Sequence, residues 1–174
     1  MSTQLILIRH GEPRYDEVLA RHYFGMGFDL GKLTDRGVLQ AEERAKDPLL
    51  QGAEIIVSSP YTRALQTAAI ISRITGIKLA VENDLHEWMP DITFKFEMKG
   101  NEPYEEYMMA HGVRNASHIN HWEEYAAVQK RVKDALEKYK NYKKIIVVSH
   151  GIVMSTLTKF DDMIEHCGVR IATL

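Results

Sequence analysis

The sequence has little of what marks several large protein classes. Its 174 residues include one cysteine, Cys167, so no intrachain disulfide can form and we expect a reducing compartment. Lys and Arg total 22 against 24 Asp and Glu, and this net charge of -2 argues against nucleic-acid binding through a general basic surface. No apolar run is long enough to cross a bilayer, and Arg9 interrupts the first apolar run too early for a signal peptide. We therefore expect a cytoplasmic protein that binds neither nucleic acid nor membrane.

The apolar residues that are present predict one α/β domain spanning residues 1–174. Hydrophobic residues make up 45% of the chain, enough for a full core. Three short β-branched segments have the pattern of parallel strands covered on both faces, and they are residues 5–8, 54–58 and 144–149. Further strand candidates are residues 77–81 and 169–174. Helical patterns alternate with them at 33–47, 60–75 and 121–142. This alternation predicts a three-layer α/β/α sandwich with a mostly parallel central sheet.

Residues 89–120 are less regular than the rest and are rich in methionine, aromatic and acidic residues. We interpret this segment as an insertion or lid beside the sheet. Together with the loop 14–32 it is expected to set substrate specificity through apolar contacts, for which the aromatic candidates are Phe24, Phe28, Phe94, Phe96 and Tyr104.

Polar side chains follow three of the predicted strands. They are the clusters Arg9-His10-Gly11-Glu12, Ser58 to Arg63 and Ser149-His150-Gly151. Ligands of open α/β sheets bind at the carboxyl ends of the strands, so two histidines and two arginines should meet there. Glycine after each histidine would allow the backbone to approach a ligand closely, and the helix starts after Pro60 and Gly151 would favour an anion. These features together predict a phosphate site.

The chemistry of these side chains suits phosphoryl transfer. A neutral imidazole can attack phosphorus, and arginine forks can neutralise the phosphoryl oxygens without a metal. The leaving oxygen then needs a proton from a carboxylic acid. Glu87 is the candidate, because its neighbours Trp88 and Met89 provide an apolar setting that would raise its pKa. Glu82, Asp84 and Asp91 are nearby competitors for this role.

At this point the sequence resembles the histidine phosphatase superfamily, which includes the phosphoglycerate-mutase-like phosphatases. The resemblance rests on five matches in the family's order: RHGE at residues 9–12, LTxxGxxQA at 33–41, SSPxxRAxQTA at 58–68, LxE at 85–87 and SHG at 149–151. Because they extend from residue 9 to residue 151, the resemblance covers nearly the whole chain.

The resemblance implies a role for each matched residue. His10 would be the phosphorylated nucleophile, and Glu87 would act as the acid and then as the base for water. Arg9, Arg63 and His150 would complete the phosphate pocket, with Gly151 beside them. Members of the family need no metal or organic cofactor. The implied partner is a small phosphorylated substrate, and we expect a monomer or homodimer.

Departures from the family pattern keep other functions open. The family motif is often RHGETxxN, whereas here Pro13 and Asp16 replace the threonine and the asparagine. A carboxylate beside phosphate would repel it unless it were protonated or turned away. Met26-Gly27 stands near the position of a Gln-Gly pair in many relatives. The alternatives to a phosphatase are a phosphoglycerate-mutase-like phosphotransferase and a catalytically weak phospho-ligand binding or regulatory module.

Some of the candidate residues also have plain structural interpretations. Arg63 could form a surface ion pair, and His150 could be a hydrogen-bonded core histidine. A metal site is a further hypothesis, because His118 and His121 are three residues apart and His111 is close in sequence. With neither a cysteine pair nor an HExxH spacing to support it, we predict a polar lid surface there and no metal site.

Overall fold

The computed structural model describes residues 2–97 and 100–174, in which the β-branched segments form one sheet. Its strands are β1 Gln4–Arg9, β2 Ile55–Ser58, β3 Leu79–Val81, β4 Lys144–Ser149 and β5 Val169–Thr173. The spatial order is β3-β2-β4-β1-β5, and all neighbours are parallel except β5, which runs antiparallel to β1 at the edge. The predicted mostly parallel sheet is confirmed.

The helices lie between the strands. They are α1 Asp16–Ala20, α2 Asp35–Arg44, α3 Thr62–Thr75, α4 Glu102–Met109, α5 Tyr125–Glu137 and α6 Gly151–Ser155, with 3₁₀ turns at Gly25–Leu30, Pro48–Leu50 and Asn83–Leu85. Two of the predicted helix boundaries have clear local causes. The Thr34 hydroxyl caps α2 by accepting from the Gly37 N–H at 2.9 Å, and Gly76 ends α3 at φ 74°, a left-handed conformation that suits glycine.

Alternate residues of the central strands enter two separate hydrophobic cores. One core lies against α5, and it includes the buried side chains Leu5, Leu7, Ile145, Val147, Val128, Val132 and Leu136. The other lies against α3, and it includes Ile6, Ile8, Ile146, Val148, Ala64, Ala68 and Ile71. Because successive strand side chains point to opposite faces, helices cover the sheet on both sides, as the three-layer prediction requires.

Several predicted elements are longer than the observed ones, and for two of them the hydrogen bonds give the reason. The 121–142 helix is in fact the shorter α5, because the backbone before it pairs in an extended form: the Ile92 N–H donates to the His121 carbonyl and the Glu123 N–H donates to the Met89 carbonyl, both at 2.9 Å. The predicted strand 77–81 begins only at Leu79. Ile77 instead closes the end of α3, where its carbonyl accepts from the Ser72 hydroxyl at 2.6 Å.

The 89–120 segment contains regular structure that was not predicted, since α4 lies within it. Tyr107 of α4 is buried, with its ring centroid 4.9 Å from that of Trp88 and 5.4 Å from that of Trp122. Residues 98 and 99 of the expected lid lie outside the described residues, and the lid role stays a prediction. Across the described part of the chain, no helix combines the length and hydrophobicity needed to cross a membrane.

Candidate active site

His10 and His150 meet because β1 and β4 are parallel neighbours in register. Arg9 pairs with Ser149 at the last rung, so the histidines are the first residues beyond it on both strands. The backbone N–H of His10 donates to the Ser149 carbonyl at 3.0 Å, and the imidazole centroids of His10 and His150 are 5.2 Å apart. The sheet thus places both predicted histidines at one edge, as expected for the carboxyl ends of parallel strands.

The His10 ring is held with one nitrogen directed at the arginine of α3. Its Nδ1 lies 2.7 Å from the Gly11 carbonyl, which accepts a hydrogen bond from it. That contact assigns the proton to Nδ1, so Nε2 carries the lone pair and accepts from Arg63 Nε at 3.3 Å. Burial and the nearby Arg63 charge lower the pKa of His10 to about 3. His10 is therefore a neutral imidazole near pH 7, with a nucleophilic nitrogen beside a guanidinium.

The two arginines approach His10 from different elements. Arg63 belongs to the first turn of α3, and its side chain is 6% exposed, which excludes the surface ion-pair interpretation. Arg9 ends β1 and donates from Nη1 to the Ile164 carbonyl, while its Nε is buried without a protein partner within the described residues. Burial lowers the pKa of Arg9. Two guanidinium groups beside a neutral histidine form a site suited to an anion.

His150 is buried beside Ser59 with one nitrogen unsatisfied. Its Nε2 lies 2.8 Å from the Ser59 hydroxyl, which also accepts from the Tyr61 N–H at 3.2 Å. We assign the Ser59 O–H as donor to Nε2, because this leaves both serine contacts satisfied and puts the proton on Nδ1. Nδ1 has no hydrogen-bond partner within the part of the chain described. A buried donor of this kind is suited to an oxygen of a bound anion.

Glu87 follows the 3₁₀ turn Asn83–Leu85 and lies in a loop beyond β3. Its Oε1 accepts from the Trp88 N–H at 2.8 Å. Burial raises the pKa of Glu87, and that backbone hydrogen bond together with the positive charges of Arg63 and Arg9 opposes the shift. A carboxylic acid with a raised pKa can retain its proton for donation to a leaving group.

The competing carboxylates are engaged elsewhere or exposed. Glu82 pairs with Lys138 at 2.8 Å, and Asp91 accepts from the Thr93 and Phe96 N–H groups at 2.8 and 2.7 Å. Asp84 is exposed. Among these four carboxylates, Glu87 alone lines the two cavities that lie at the site.

Two cavities meet at Glu87 and Trp88. One has a volume of about 520 Å³ and is lined largely by apolar groups, including Phe24, Phe28 and Phe96. The other, of about 550 Å³, contains Arg9 and Gly151 together with Tyr104. Four of the five predicted aromatic contacts therefore line a cavity of the site. Phe94 is not among the lining residues of either cavity; its ring packs on Phe96 at 6.4 Å.

Glycine at position 11 of the first motif is explained by the contact between two backbone segments. A Cβ at Gly11 would lie 2.6 Å from the Gly37 carbonyl oxygen, and a Cβ at Gly37 would lie 2.3 Å from the Glu12 carbonyl oxygen. Glycine at position 11 thus permits the backbone there to touch the backbone of Gly37. The expected close approach of the Gly11 backbone to a ligand stays a prediction. At Gly151 a Cβ would meet only Arg9 Nε, at 3.9 Å, so its backbone lies beside that guanidinium.

Other motif residues hold the loop after β1. The Thr67 hydroxyl accepts from the Gly11 N–H at 3.0 Å, and the Gln40 side-chain oxygen Oε1 accepts from the Glu12 N–H at 2.8 Å. Gln66 does the same for the Leu33 N–H at 2.9 Å. These buried or half-buried hydrogen bonds tie α2 and α3 to the loop that follows the His10 ring, and so fix its position.

The departures from the family motif are resolved in different ways. Asp16 is exposed and pairs with Arg14, whose Nε donates to it at 2.8 Å, so this carboxylate is turned away from the phosphate site. Three residues beyond Met26, Asp29 of the Gly25–Leu30 turn reaches the site and accepts from Arg63 Nη1 at 2.9 Å. Burial raises the pKa of Asp29 in spite of Arg63. No motif in the sequence singles out Asp29 as a residue of the site.

The other histidines near the predicted lid serve local packing. His118 Nδ1 accepts from the Asn115 N–H at 2.9 Å, and the His111 ring packs on Phe160 with centroids 5.6 Å apart. In the two described stretches of chain, no group of three or more His, Cys, Asp or Glu side chains is placed to hold a metal ion. Cys167 is buried, which raises the pKa of its thiol to about 11 and makes it a poor nucleophile.

Three further residues at the site were not singled out by any motif. The His166 ring centroid lies 5.6 Å from that of His10. Arg131 of α5 and Glu123 just before it contact the loop that carries Glu87. Neither their spacing nor their neighbours in the sequence connect them to His10, because the connection runs through the packing of α5 on the sheet.

The fold and this arrangement of two histidines, two arginines and a carboxylic acid define an α/β protein that handles phosphate. The sequence pattern of the histidine phosphatase superfamily (branch 1) matches residues 5–160, and the chain belongs to this superfamily. It is a phosphoric monoester hydrolase by family and by its phosphatase relatives.

Its relatives include proteins named for several phosphorylated compounds. A candidate phosphoserine phosphatase 2 of Hydrogenobacter thermophilus is 30% identical over 152 residues, which cover 85% of this chain and 73% of the relative. A candidate phosphoglycerate mutase GpmB of Yersinia pestis is 29% identical over 160 residues, covering 88% and 72%. A solved structure of a candidate α-ribazole-5'-P phosphatase of Escherichia coli superposes with a TM-score of 0.63 at 25% identity, covering 88% and 76%.

Proposed function

We propose that His10 is the nucleophile with which this phosphatase hydrolyses a small phosphomonoester. Support comes from its neutral ring, whose Nε2 faces Arg63 at 3.3 Å while Nδ1–H is bound to the Gly11 carbonyl. In the first step Nε2 attacks phosphorus, the bond from phosphorus to the ester oxygen breaks, and the leaving oxygen takes the proton of Glu87. The product is a phosphohistidine and an alcohol.

The second step reverses the role of Glu87. Water attacks phosphorus, the ionised Glu87 carboxylate accepts a proton from that water, and the bond between phosphorus and Nε2 breaks. Inorganic phosphate leaves, His10 is neutral again and Glu87 is again protonated. Every proton is accounted for by Glu87 and water, so the residues need no further acid or base.

The phosphoryl oxygens would be held by Arg9, Arg63, His150 and the backbone at Gly151. The single observation that supports this best is a pair of buried donors, Arg9 Nε and His150 Nδ1, that lack protein acceptors among the described residues at the edge where His10 lies. Leaving such donors unsatisfied costs about 1–3 kcal/mol each, a cost that a bound phosphoryl group would remove. We also propose that residues 1–174 form one catalytic domain and that residues 89–120 are its lid.

The substrate is proposed only as a class. The relatives carry names that refer to phosphoserine, phosphoglycerate and α-ribazole phosphate, which share a phosphomonoester and differ in the alcohol. The apolar cavity beside Glu87 suits an alcohol with an apolar portion. We further propose a cytoplasmic location, a monomeric or homodimeric state and no association with nucleic acid.

The test is phosphate release from a panel of small phosphomonoesters, in the presence of a metal chelator, by the wild type and His10→Ala. We expect His10→Ala to lower kcat/KM by at least about 10³-fold, because the variant lacks the attacking nitrogen. Wild type quenched in alkali should yield a phosphoenzyme that is stable to alkali and labile to acid, as expected of a phosphohistidine, and the variant should yield none. His118→Ala, which removes a histidine that packs on Trp122, is the matched control and should retain activity.

Two outcomes would contradict the proposal. Activity that persists in His10→Ala beyond a contaminant control would mean that another group attacks phosphorus. Binding of phosphate esters by the wild type without release of phosphate, and without an isomerised ester among the products, would favour the binding module. An isomerised ester would favour the mutase.

A further inference from the structure

Glu87 lies outside every helix and strand, yet the position of its loop determines where a proton can be delivered. It lies after the 3₁₀ turn Asn83–Leu85 and before the 89–120 segment. A general acid contributes only when its carboxyl oxygen is within hydrogen-bond reach of the leaving oxygen. Some element outside the loop must therefore fix it, and one side chain of α5 is placed to do so.

Arg131 donates all five of its N–H groups, three to this loop and two to Glu123. Its Nη1 donates to the carbonyls of Asp84 and His86 at 2.6 and 2.9 Å, and its Nη2 donates to the Glu87 carbonyl at 3.3 Å. The remaining two donors go to Glu123, from Nε at 2.7 Å and from Nη2 at 2.9 Å. Five donors in one rigid plane are a property of arginine alone among side chains.

Glu123 holds the other end of the same loop. Its Oε2 accepts from the Met89 N–H at 3.2 Å, and its backbone carbonyl accepts from the Trp88 indole N–H at 2.7 Å. The Glu123 side chain is 6% exposed and that of Arg131 is 14% exposed. An ion pair this well shielded, with its remaining donors satisfied by carbonyls, keeps a defined geometry that a surface pair would not.

We infer that Arg131 and Glu123 act as positioning residues that hold the Glu87 carboxyl at the leaving oxygen. This inference rests on the proposed function, since it needs Glu87 to be the acid. Neither residue lines the two cavities, whereas Glu87 lines both. Arg131 binds the backbone up to Glu87 and Glu123 binds it at Met89, so the Glu87 carboxyl stays free to face the cavities. Displacing the backbone by about 1 Å is enough to cost on the order of 10²-fold in such a step.

The test compares two substrates of similar size that differ in their need for an acid. Benzyl phosphate releases a basic alkoxide that must be protonated, whereas 4-nitrophenyl phosphate releases a stable phenolate without help. Arg131→Lys keeps the positive charge and removes the fork. We expect kcat/KM for benzyl phosphate to fall about 10–100-fold and that for 4-nitrophenyl phosphate to fall less than about 3-fold.

Two further variants make the outcome decisive. Arg170→Lys breaks a comparable bidentate pair, with Asp162 at 3.0 Å, that does not contact the Glu87 loop, and it should leave the ratio of the two substrates unchanged. Glu123→Gln removes the charge that anchors the fork and should change the ratio in the same direction as Arg131→Lys. It also provides the measurement if Arg131→Lys is poorly folded, which thermal unfolding will show.

The results separate this inference from the proposed function. Glu87→Gln should itself lose far more activity on benzyl phosphate than on 4-nitrophenyl phosphate. If it does not, the proposed acid is wrong. If it does, and Arg131→Lys and Glu123→Gln lose activity equally on both substrates or on neither, then the fork has only a structural role and the inference is overturned.

Discussion

Arg9, His10 and His150 enter the site directly from neighbouring parallel strands, whereas Glu87 and Asp29 reach it from irregular segments. The first group is placed by the register of β1 and β4, in which Arg9 pairs with Ser149. The second group is placed by side chains that are distant in sequence, Arg131 in one case and Arg63 in the other. The site therefore has a strand half, set by backbone hydrogen bonds, and a loop half, set by charged side chains.

This difference has a chemical counterpart. The strand half bears the groups that, in the proposed reaction, stay fixed while phosphorus changes partners, and hydrogen bonds tie it to the sheet and to α2 and α3. The loop half bears the carboxyl groups whose environment sets their protonation. Burial raises the pKa of both Glu87 and Asp29, and a small displacement of either loop would change that burial.

Gly11→Ala should have the largest effect on the strand half. Its Cβ would lie 2.6 Å from the Gly37 carbonyl oxygen, and backbone on both sides leaves no flexible atom to yield. We expect a loss of about 3 kcal/mol in the free energy of unfolding, measured by urea denaturation. Gly151→Ala is the matched control, because its Cβ would meet only Arg9 Nε at 3.9 Å, and it should unfold near the wild-type midpoint. Equal losses in both variants would mean that the backbone contact at Gly11 is not what matters.

A smaller effect is expected from the protonation of His10. Burial lowers its pKa to about 3, so below pH 6.5 the unfolded chain binds a proton that the folded chain does not. Stability is therefore lost as the pH falls from 6.5 towards 3, by about 2 kcal/mol for this group between pH 7 and pH 5.

The check is urea unfolding at pH 7 and pH 5 for the wild type, His10→Gln and His22→Gln. His10→Gln should lose less stability over this interval than the wild type does, whereas His22→Gln, at an exposed position, should behave as the wild type. Parallel losses in all three proteins would show that His10 does not titrate differently in the folded state.

Asp29→Asn should produce the smallest effect, at the loop half. The Asp29 carboxylate lies 2.9 Å from the Arg63 nitrogen that a phosphoryl oxygen would use, so it repels and competes with the substrate. Asparagine retains an acceptor for Arg63 and removes the charge. We expect inorganic phosphate to inhibit the variant about 5-fold more tightly, which corresponds to about 1 kcal/mol. Asp16→Asn, at an exposed position paired with Arg14, is the control and should show no change. Weaker inhibition of Asp29→Asn would instead mean that Asp29 orients Arg63 for phosphate.

The strand half was predictable from the amino-acid sequence. Short β-branched segments followed by Arg9-His10-Gly11 and Ser149-His150-Gly151 were sufficient to predict that two histidines meet, because each segment and its polar end are recognisable within a few residues and the carboxyl ends of parallel strands share one edge. The motif around Arg63 placed that arginine on a helix at the same edge. The two-sided core was likewise predictable, because the central strand segments are apolar on both faces.

The loop half depends on contacts that form only in the folded protein. That Asp29 occupies Arg63, that Asp16 is turned away, and that Arg131 and Glu123 fix the Glu87 loop are contacts between residues far apart in the sequence. The need for glycine at position 11 also depends on a distant residue, because the backbone that it touches is that of Gly37 in α2. Periodicity and spacing report which face of an element is buried, but they carry no information about which distant side chain packs against a given loop. The position of the proposed nucleophile was therefore predictable from its strand, whereas the placement of the proposed acid depends on the docking of α5.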